Sequence, residues 1–188
     1  MSSRLTLGVS ERDHVVGAED APVTLVEYGD YQCPYCGQAY PIVKELRRLL
    51  GSRVRFVFRN FPLREVHPHA EAAAEAAEAA GAQGKFWEMH DALFENQSDL
   101  RGAALLSYAA RLVADAPRWT HDLSSHAFRS RVQEDFESGV SSGVRGTPTF
   151  YVNGRRHDGP FDLDSLLAAV QEAIFASRQL RTTSGSLS

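Results

Sequence analysis

Gly29-Asp30-Tyr31-Gln32-Cys33-Pro34-Tyr35-Cys36 holds both cysteines of the 188-residue chain, three positions apart. Ahead of it runs Val23-Thr24-Leu25-Val26-Glu27-Tyr28, a short apolar segment rich in β-formers. Behind it Ala39, Ile42, Val43, Leu46 and Leu50 recur at helical spacing. The pair therefore sits where a strand gives way to a helix.

A cysteine at the first turn of a helix faces unpaired backbone N–H groups and the positive end of the helix dipole, so its thiolate is favoured. Pro34 suits the first helical position, where its missing N–H has no partner in any case. Cys36 falls about one turn further along the same face, within reach of Cys33. A disulfide between them closes so small a loop that it restrains the unfolded chain little and stabilises little. Such a bond is better suited to being broken and remade. Three other readings compete with redox chemistry: an inert buried pair, a structural disulfide, and a zinc site completed by His67 and His69. The second cysteine pair usual for zinc is absent from the sequence.

Cys33-Pro34-Tyr35-Cys36 after a strand, with Gly146-Thr147-Pro148-Thr149-Phe150 much later, resembles the active site of the thioredoxin superfamily, in which a cis-proline loop packs against the dithiol. Pro41 matches a helix-kinking proline of that superfamily. The long, helix-like segment between the two motifs resembles the DsbA-like branch, where a helical domain interrupts the thioredoxin fold. Phe61-Pro62-Leu63, His67-Pro68-His69-Ala70 and Gly84-Lys85-Phe86-Trp87-Glu88-Met89-His90-Asp91 look like that branch too. The chain is also similar to domains appended to some bacterial sodium/proton antiporters. The resemblance covers about residues 10–176.

It implies an α/β architecture: a thioredoxin fold with a central mixed sheet flanked by helices, formed by residues 10–63 and 146–176. An inserted helical subdomain is expected over 64–145, with flexible termini at 1–9 and 177–188. The implied activity is thiol–disulfide exchange with protein or low-molecular-weight thiol substrates through mixed disulfides, served by a redox-recycling partner. Cys33 and Cys36 carry the exchange, with no metal or organic cofactor. Pro34, Tyr35, Thr147 and Pro148 are the expected substrate-binding residues. A cis Thr147–Pro148 bond is expected to turn a backbone edge toward Cys33, holding varied peptides as an added strand. The competing class is a redox-sensing regulatory domain that serves a membrane transporter without turning over.

Glu27 shares a strand face with Val23 and Leu25, which places a carboxylate among apolar neighbours. Desolvation there raises its pKa and equips it to exchange a proton with Cys36. A solvated strand end is the alternative. The resemblance, with an acidic residue at the matching position beneath the active site, favours the first.

Twenty basic and 24 acidic residues leave a net charge of −4 and no basic cluster beyond Arg53-Val54-Arg55 and Arg155-Arg156, so nucleic acid is not an expected partner. Apolar runs are too short for membrane insertion. Residues 1–9 lack an apolar core of signal-peptide length, which points to a cytoplasmic address, where dithiols tend to be reduced. The seven histidines form no H-E-x-x-H pattern. His90, on an apolar stripe, reads as a hydrogen-bonded interior histidine; His67, past a strand end, has at most a minor role near the thiols.

In chain order, residues 1–13 read as loosely ordered and 17–22 as a turn. Strands are expected over 23–28 and 53–61, paired in parallel around a helix ending near Leu50. Helices follow: one over 70–80, one marked by Phe86, His90, Leu93 and Phe94, a third marked by Leu105, Ala109, Leu112 and Val113 and broken before Pro117, and a last marked by Phe128, Val132, Phe136 and Val140 that ends at Gly143. Thr149-Phe150-Tyr151-Val152 reads as a strand and Asn153-Gly154 as a hairpin turn. Asp162 caps a helix striped by Leu163, Leu166, Leu167, Val170 and Ile174. A disordered tail is expected from Ser177.

Overall fold

The computed structural model describes residues 4–184, with side chains as far as Gln179. Five strands form one mixed sheet in the order β1 (His14–Val16), β3 (Val54–Asn60), β2 (Val23–Gly29), β4 (Thr149–Val152), β5 (Arg155–Arg156). β2 and β3 run parallel, joined by helix α1 (Pro34–Leu50); the other pairs are antiparallel. The parallel pairing follows from the crossover helix, because a tight turn joins only antiparallel neighbours. β2 is the central strand, buried at every position but Thr24, and it delivers the chain to the cysteines.

Five helices separate β3 from β4: α2 (Ala70–Gly81), α3 (Phe86–Glu95), α4 (Gly102–Leu112), α5 (Ala116–Ser124) and α6 (Arg129–Ser142). Alanine on α2 lets its neighbours approach closely, and Ala73, Ala74, Ala76, Ala77, Ala79 and Ala80 are all buried. The apolar core is continuous from β2, β3 and α1 into α2–α5, so sheet and insertion share one interior. α7 (Leu163–Ser184) packs Leu166, Val170 and Ile174 inward, and Asp162 Oδ1 accepts from the Ser165 N–H at 2.9 Å as its cap. At the hairpin, Asn153 and Gly154 both take positive φ, 47° and 77°. Among the described residues no helix is long and apolar enough to cross a membrane.

Four expectations need correction. Residues 4–13 are not loose: Leu5 pairs with Gly154, and Arg59 reaches the carbonyls of Leu7 and Gly8 and the carboxylate of Asp13. Arg59 is wholly buried, so its donors need these acceptors, and they pin the segment. The tail from Ser177 is not disordered through Ser184 but continues α7, since extending a docked helix adds hydrogen bonds without a new nucleus; residues 185–188 lie outside the described part, as do 1–3. Pro117 opens α5 in its first turn, with Asp115 as cap, where the sequence reads only as a break. Val140 on α6 is 54 % exposed; the inward face carries Asp135, Ser138, Gly139 and Ser142 instead, because it meets polar groups of β3 and the N-terminal segment. Strand β1 has no counterpart in the sequence reading.

Candidate active site

At the end of β2 the chain turns through Asp30–Cys33, closed by the Cys33 N–H on the Asp30 carbonyl at 3.1 Å. Asp30 reinforces the turn through its side chain, accepting from the Gln32 N–H at 2.7 Å. Cys33 is the cap residue of α1 in extended conformation, and Pro34 opens the helix. Cys36 lies one turn in, fully buried, with the Asp30 N–H donating to its sulfur at 3.4 Å. The thiol of Cys33 donates to the Thr147 carbonyl at 3.3 Å, across the cis Thr147–Pro148 peptide.

The two sulfurs are held in opposite ways. The Cys33 thiolate accepts from the Cys36 thiol and from the N–H groups of Cys36 and Tyr35, which outweigh burial and bring its pKa down to about 5. Cys36 is pushed well up, by burial first and then by Cys33 and Glu27. Glu27 is 3 % exposed, faces the same interior, and its Oε1 has no hydrogen-bond partner. Burial raises its pKa to about 8, with the charge of Cys33 adding to the rise. A carboxylate in this position is charged only at a cost, so it readily takes a proton.

The structure thus brings Cys33, Cys36, Glu27 and Thr147 together. Tyr35, 58 % exposed, and Pro34 lie on the surface beside Cys33. The Thr147 hydroxyl is buried without a partner. His67 and His69, the other half of a zinc site, are engaged elsewhere: His67 Nδ1 meets the Asp30 carboxylate at 2.7 Å, and the His69 N–H donates to Gln32 Oε1 at 2.6 Å. Among the described residues no group of three or more His, Cys, Asp or Glu is placed to hold a metal ion.

Other residues hold the site without appearing among the expected ones. Asp30 also accepts from the Leu63 N–H at 2.8 Å, tying the dithiol loop to the start of the insertion. Tyr31 is buried among Phe58, His90 and Phe94 and its hydroxyl meets His90 Nδ1 at 3.2 Å. His90 is buried and neutral, its pKa drawn down to about 3 by burial, with Arg47 and Lys44 contributing. Gln97, after α3, donates to the carbonyls of Tyr31 and Cys33. An aspartate opening a turn is a readable signal for Asp30; Gln97 has none, since its contacts exist only once the insertion is docked.

Residues 9–172 match the family model described as Thioredoxin. The Na(+)/H(+) antiporter NhaA 3 of Salinispora tropica is 53% identical over 175 residues, covering 93% of this chain and 26% of the relative. The antiporter NhaA 1 of Mycobacterium sp. strain KMS is 44% identical over 163 residues, 86% of this chain and 27% of the relative. The chain thus spans about a quarter of the length of these curated relatives. Oxidised BdbD from Bacillus subtilis superposes with a TM-score of 0.82 at 25% identity, covering 93% of this chain and 99% of BdbD. A thioredoxin-like oxidoreductase from Silicibacter pomeroyi gives 0.76 at 28% identity, covering 90% and 94%. Wolbachia pipientis alpha-DsbA1, at 20% identity and 0.75, shares the fold over 94% of this chain and 98% of its own. With the family model spanning most of its length, the chain belongs to the thioredoxin family, in its DsbA-like branch.

Proposed function

We propose that this domain is a thiol–disulfide oxidoreductase. The Cys33 thiolate attacks a substrate disulfide, forming a mixed disulfide and expelling one substrate thiolate, which is protonated. Cys36 gives its proton to the Glu27 carboxylate and attacks the Cys33 sulfur. The second substrate thiolate leaves, and the two electrons that reduced the substrate have come from forming the Cys33–Cys36 disulfide. A recycling dithiol restores the reduced pair; run in reverse, the same steps oxidise a substrate dithiol. Pro34, Tyr35, Thr147 and Pro148 receive the substrate, a protein or small thiol compound.

The observation that carries this reading is the asymmetry of the sulfurs: one favoured as thiolate beside the protein surface, the other buried as thiol beside an unpartnered carboxylate. A purely structural pair has no use for such a division. The test is reduction of a protein disulfide under a regenerating reductant. Turnover lost in Cys33→Ser supports the reading; turnover retained in that variant defeats it. The cytoplasmic placement belongs to the same proposal and is tested by equilibration against glutathione. A potential near roughly −270 mV fits a cytoplasmic reductase, and one near roughly −120 mV an oxidant of an oxidising compartment.

A second reading is favoured by one observation: over 93% of this chain the similarity is to a quarter-length part of an antiporter. The dithiol then reports redox state to a transporter. Single-turnover oxidation that alters transport, without multiple turnover on any thiol substrate, distinguishes it.

A further inference from the structure

Gln97 lies in the turn between α3 and α4, about sixty positions from the dithiol, yet its single amide nitrogen meets two carbonyls of the dithiol loop. It donates to Tyr31 O at 2.9 Å and to Cys33 O at 2.8 Å. The Cys33 carbonyl also accepts the first helical bond of α1, from the Gly37 N–H at 3.1 Å. Both amide hydrogens are therefore committed to the two peptide units that frame Gln32 and Cys33. A backbone turn held on both sides of Cys33 leaves its sulfur little freedom to swing.

The neighbouring residue of α1 is fitted to this arrangement. A Cβ built on Gly37 would overlap Gln97 Oε1, with the Gln97 amide carbon at 3.0 Å and Nε2 at 3.1 Å. Gly37 sits in a helix, where alanine is ordinarily the better residue. Its φ is not in the positive range, so backbone freedom gives no reason for glycine there. The space occupied by the Gln97 amide does.

We propose that Gln97 is a positioning residue of the dithiol, reaching in from the inserted helices to fix the Tyr31–Cys33 backbone that presents the Cys33 sulfur to substrate. This rests on the oxidoreductase reading only for its relevance to turnover, because the effect is on the thiol itself. Two carbonyl oxygens next to the sulfur have their negative ends turned onto amide hydrogens. With that donor gone they are free to rotate toward the thiolate, disfavouring it. The insertion then acts on the chemistry from behind the loop, besides covering the sheet.

The test is a titration of the reduced protein, reading Cys33 thiolate by ultraviolet absorbance, for the parent, Gln97→Met, Gly37→Ala and the double variant. Met keeps the length and bulk of glutamine and removes the donor. Gln97→Met is expected to raise the Cys33 midpoint by about half a pH unit, an ~3-fold loss of acidity. Gly37→Ala is expected to raise it similarly by expelling the amide. The double variant is expected to match the larger single shift, since both changes remove one interaction. A residue that merely stabilises the fold lowers the melting temperature and leaves the midpoint in place. An unchanged midpoint in Gln97→Met overturns the proposal, as do two single shifts that add in full. Should Gln97→Met fail to fold, Gly37→Ala decides alone: a raised midpoint supports the proposal and an unchanged one overturns it. The titration needs no substrate, so a parent protein without exchange activity would defeat the functional reading and leave this test standing.

Discussion

The sulfur of Cys33 and the main-chain carbonyl of Thr147, 114 positions apart in the chain, meet at 3.3 Å. The contact belongs to the backbone of residue 147, and the Thr147 hydroxyl is buried without a partner. Removing an unpartnered hydroxyl costs no hydrogen bond. Thr147→Val is therefore expected to leave turnover within about twofold and stability within about 0.5 kcal/mol of the parent. Steady-state kinetics and urea unfolding check this; a loss of tenfold or more would place a role on the hydroxyl itself.

The opposed sulfurs predict opposed reactivities. Alkylation of the reduced protein is expected at Cys33 alone, with a rate that rises through a midpoint of about 5 and is flat at neutral pH. In Cys36→Ser, mixed disulfides at Cys33 should accumulate, visible as mass adducts that a small thiol removes.

Glu27 has a folded-state pKa of about 8 against an ordinary value of 4.5. A group whose pKa rises on folding contributes stability that is fully present below its unfolded pKa and lost as pH climbs through the folded one. The reduced parent should therefore lose on the order of 1 kcal/mol per pH unit between about 4.5 and 8 from this residue. In Glu27→Leu that slope should vanish, making the variant the more stable protein above about pH 8. Resolution of mixed disulfides should slow in the same variant. Equilibrium unfolding at several pH values, with stopped-flow thiol release, measures both.

His90 works in the opposite direction. Its pKa falls on folding from 6.5 to about 3, so its contribution is present above about 6.5 and lost as pH falls toward 3. His90→Phe should flatten acid destabilisation over that range. It should also cost about 1–3 kcal/mol at neutral pH, because the buried Tyr31 hydroxyl loses its partner. Urea midpoints at pH 7 and pH 4 separate the two effects.

Arg59 and Asp13 form a buried ion pair at 2.7 Å with neither side chain exposed. Arg59→Leu is expected to destabilise by about 3–5 kcal/mol by leaving the Asp13 carboxylate unpaired. Adding Asp13→Leu should recover part of the loss, which a double-mutant cycle in denaturant would show.

Local patterns carried much of this architecture. The run from Val23 to Tyr28, the stripe of α1 and the Asn153-Gly154 turn each declare their element through spacing and turn chemistry, and Glu27 declares its burial by sharing a face with Val23 and Leu25. The cysteine pair stands out because it ends one such strand and begins one such helix. What stayed hidden depends on distant partners. β1 is three residues that pair with β3 and carry no pattern of their own. The N-terminal segment reads as loose because its anchor, Arg59, lies over forty residues away on a strand where arginine alternation suggests solvent. α6 misleads for a similar reason: its apolar periodicity is weaker than the demand of buried polar groups for Asp135 and Ser138. Asp30 and Gln97 act through main-chain atoms of the dithiol loop, and no side-chain pattern announces such contacts.

The outermost strands of the sheet are three and two residues long. The shorter carries two arginines, and Arg4 bridges to Arg155 on that strand. Lateral sheet growth requires a long, open row of unpaired backbone groups, and neither border offers one. A protein whose chemistry brings it against incompletely folded chains is thereby spared co-assembly with them. Extended polypeptide finds no template for fibrous growth along the flanks, and the molecule stays separate from its clients after each encounter.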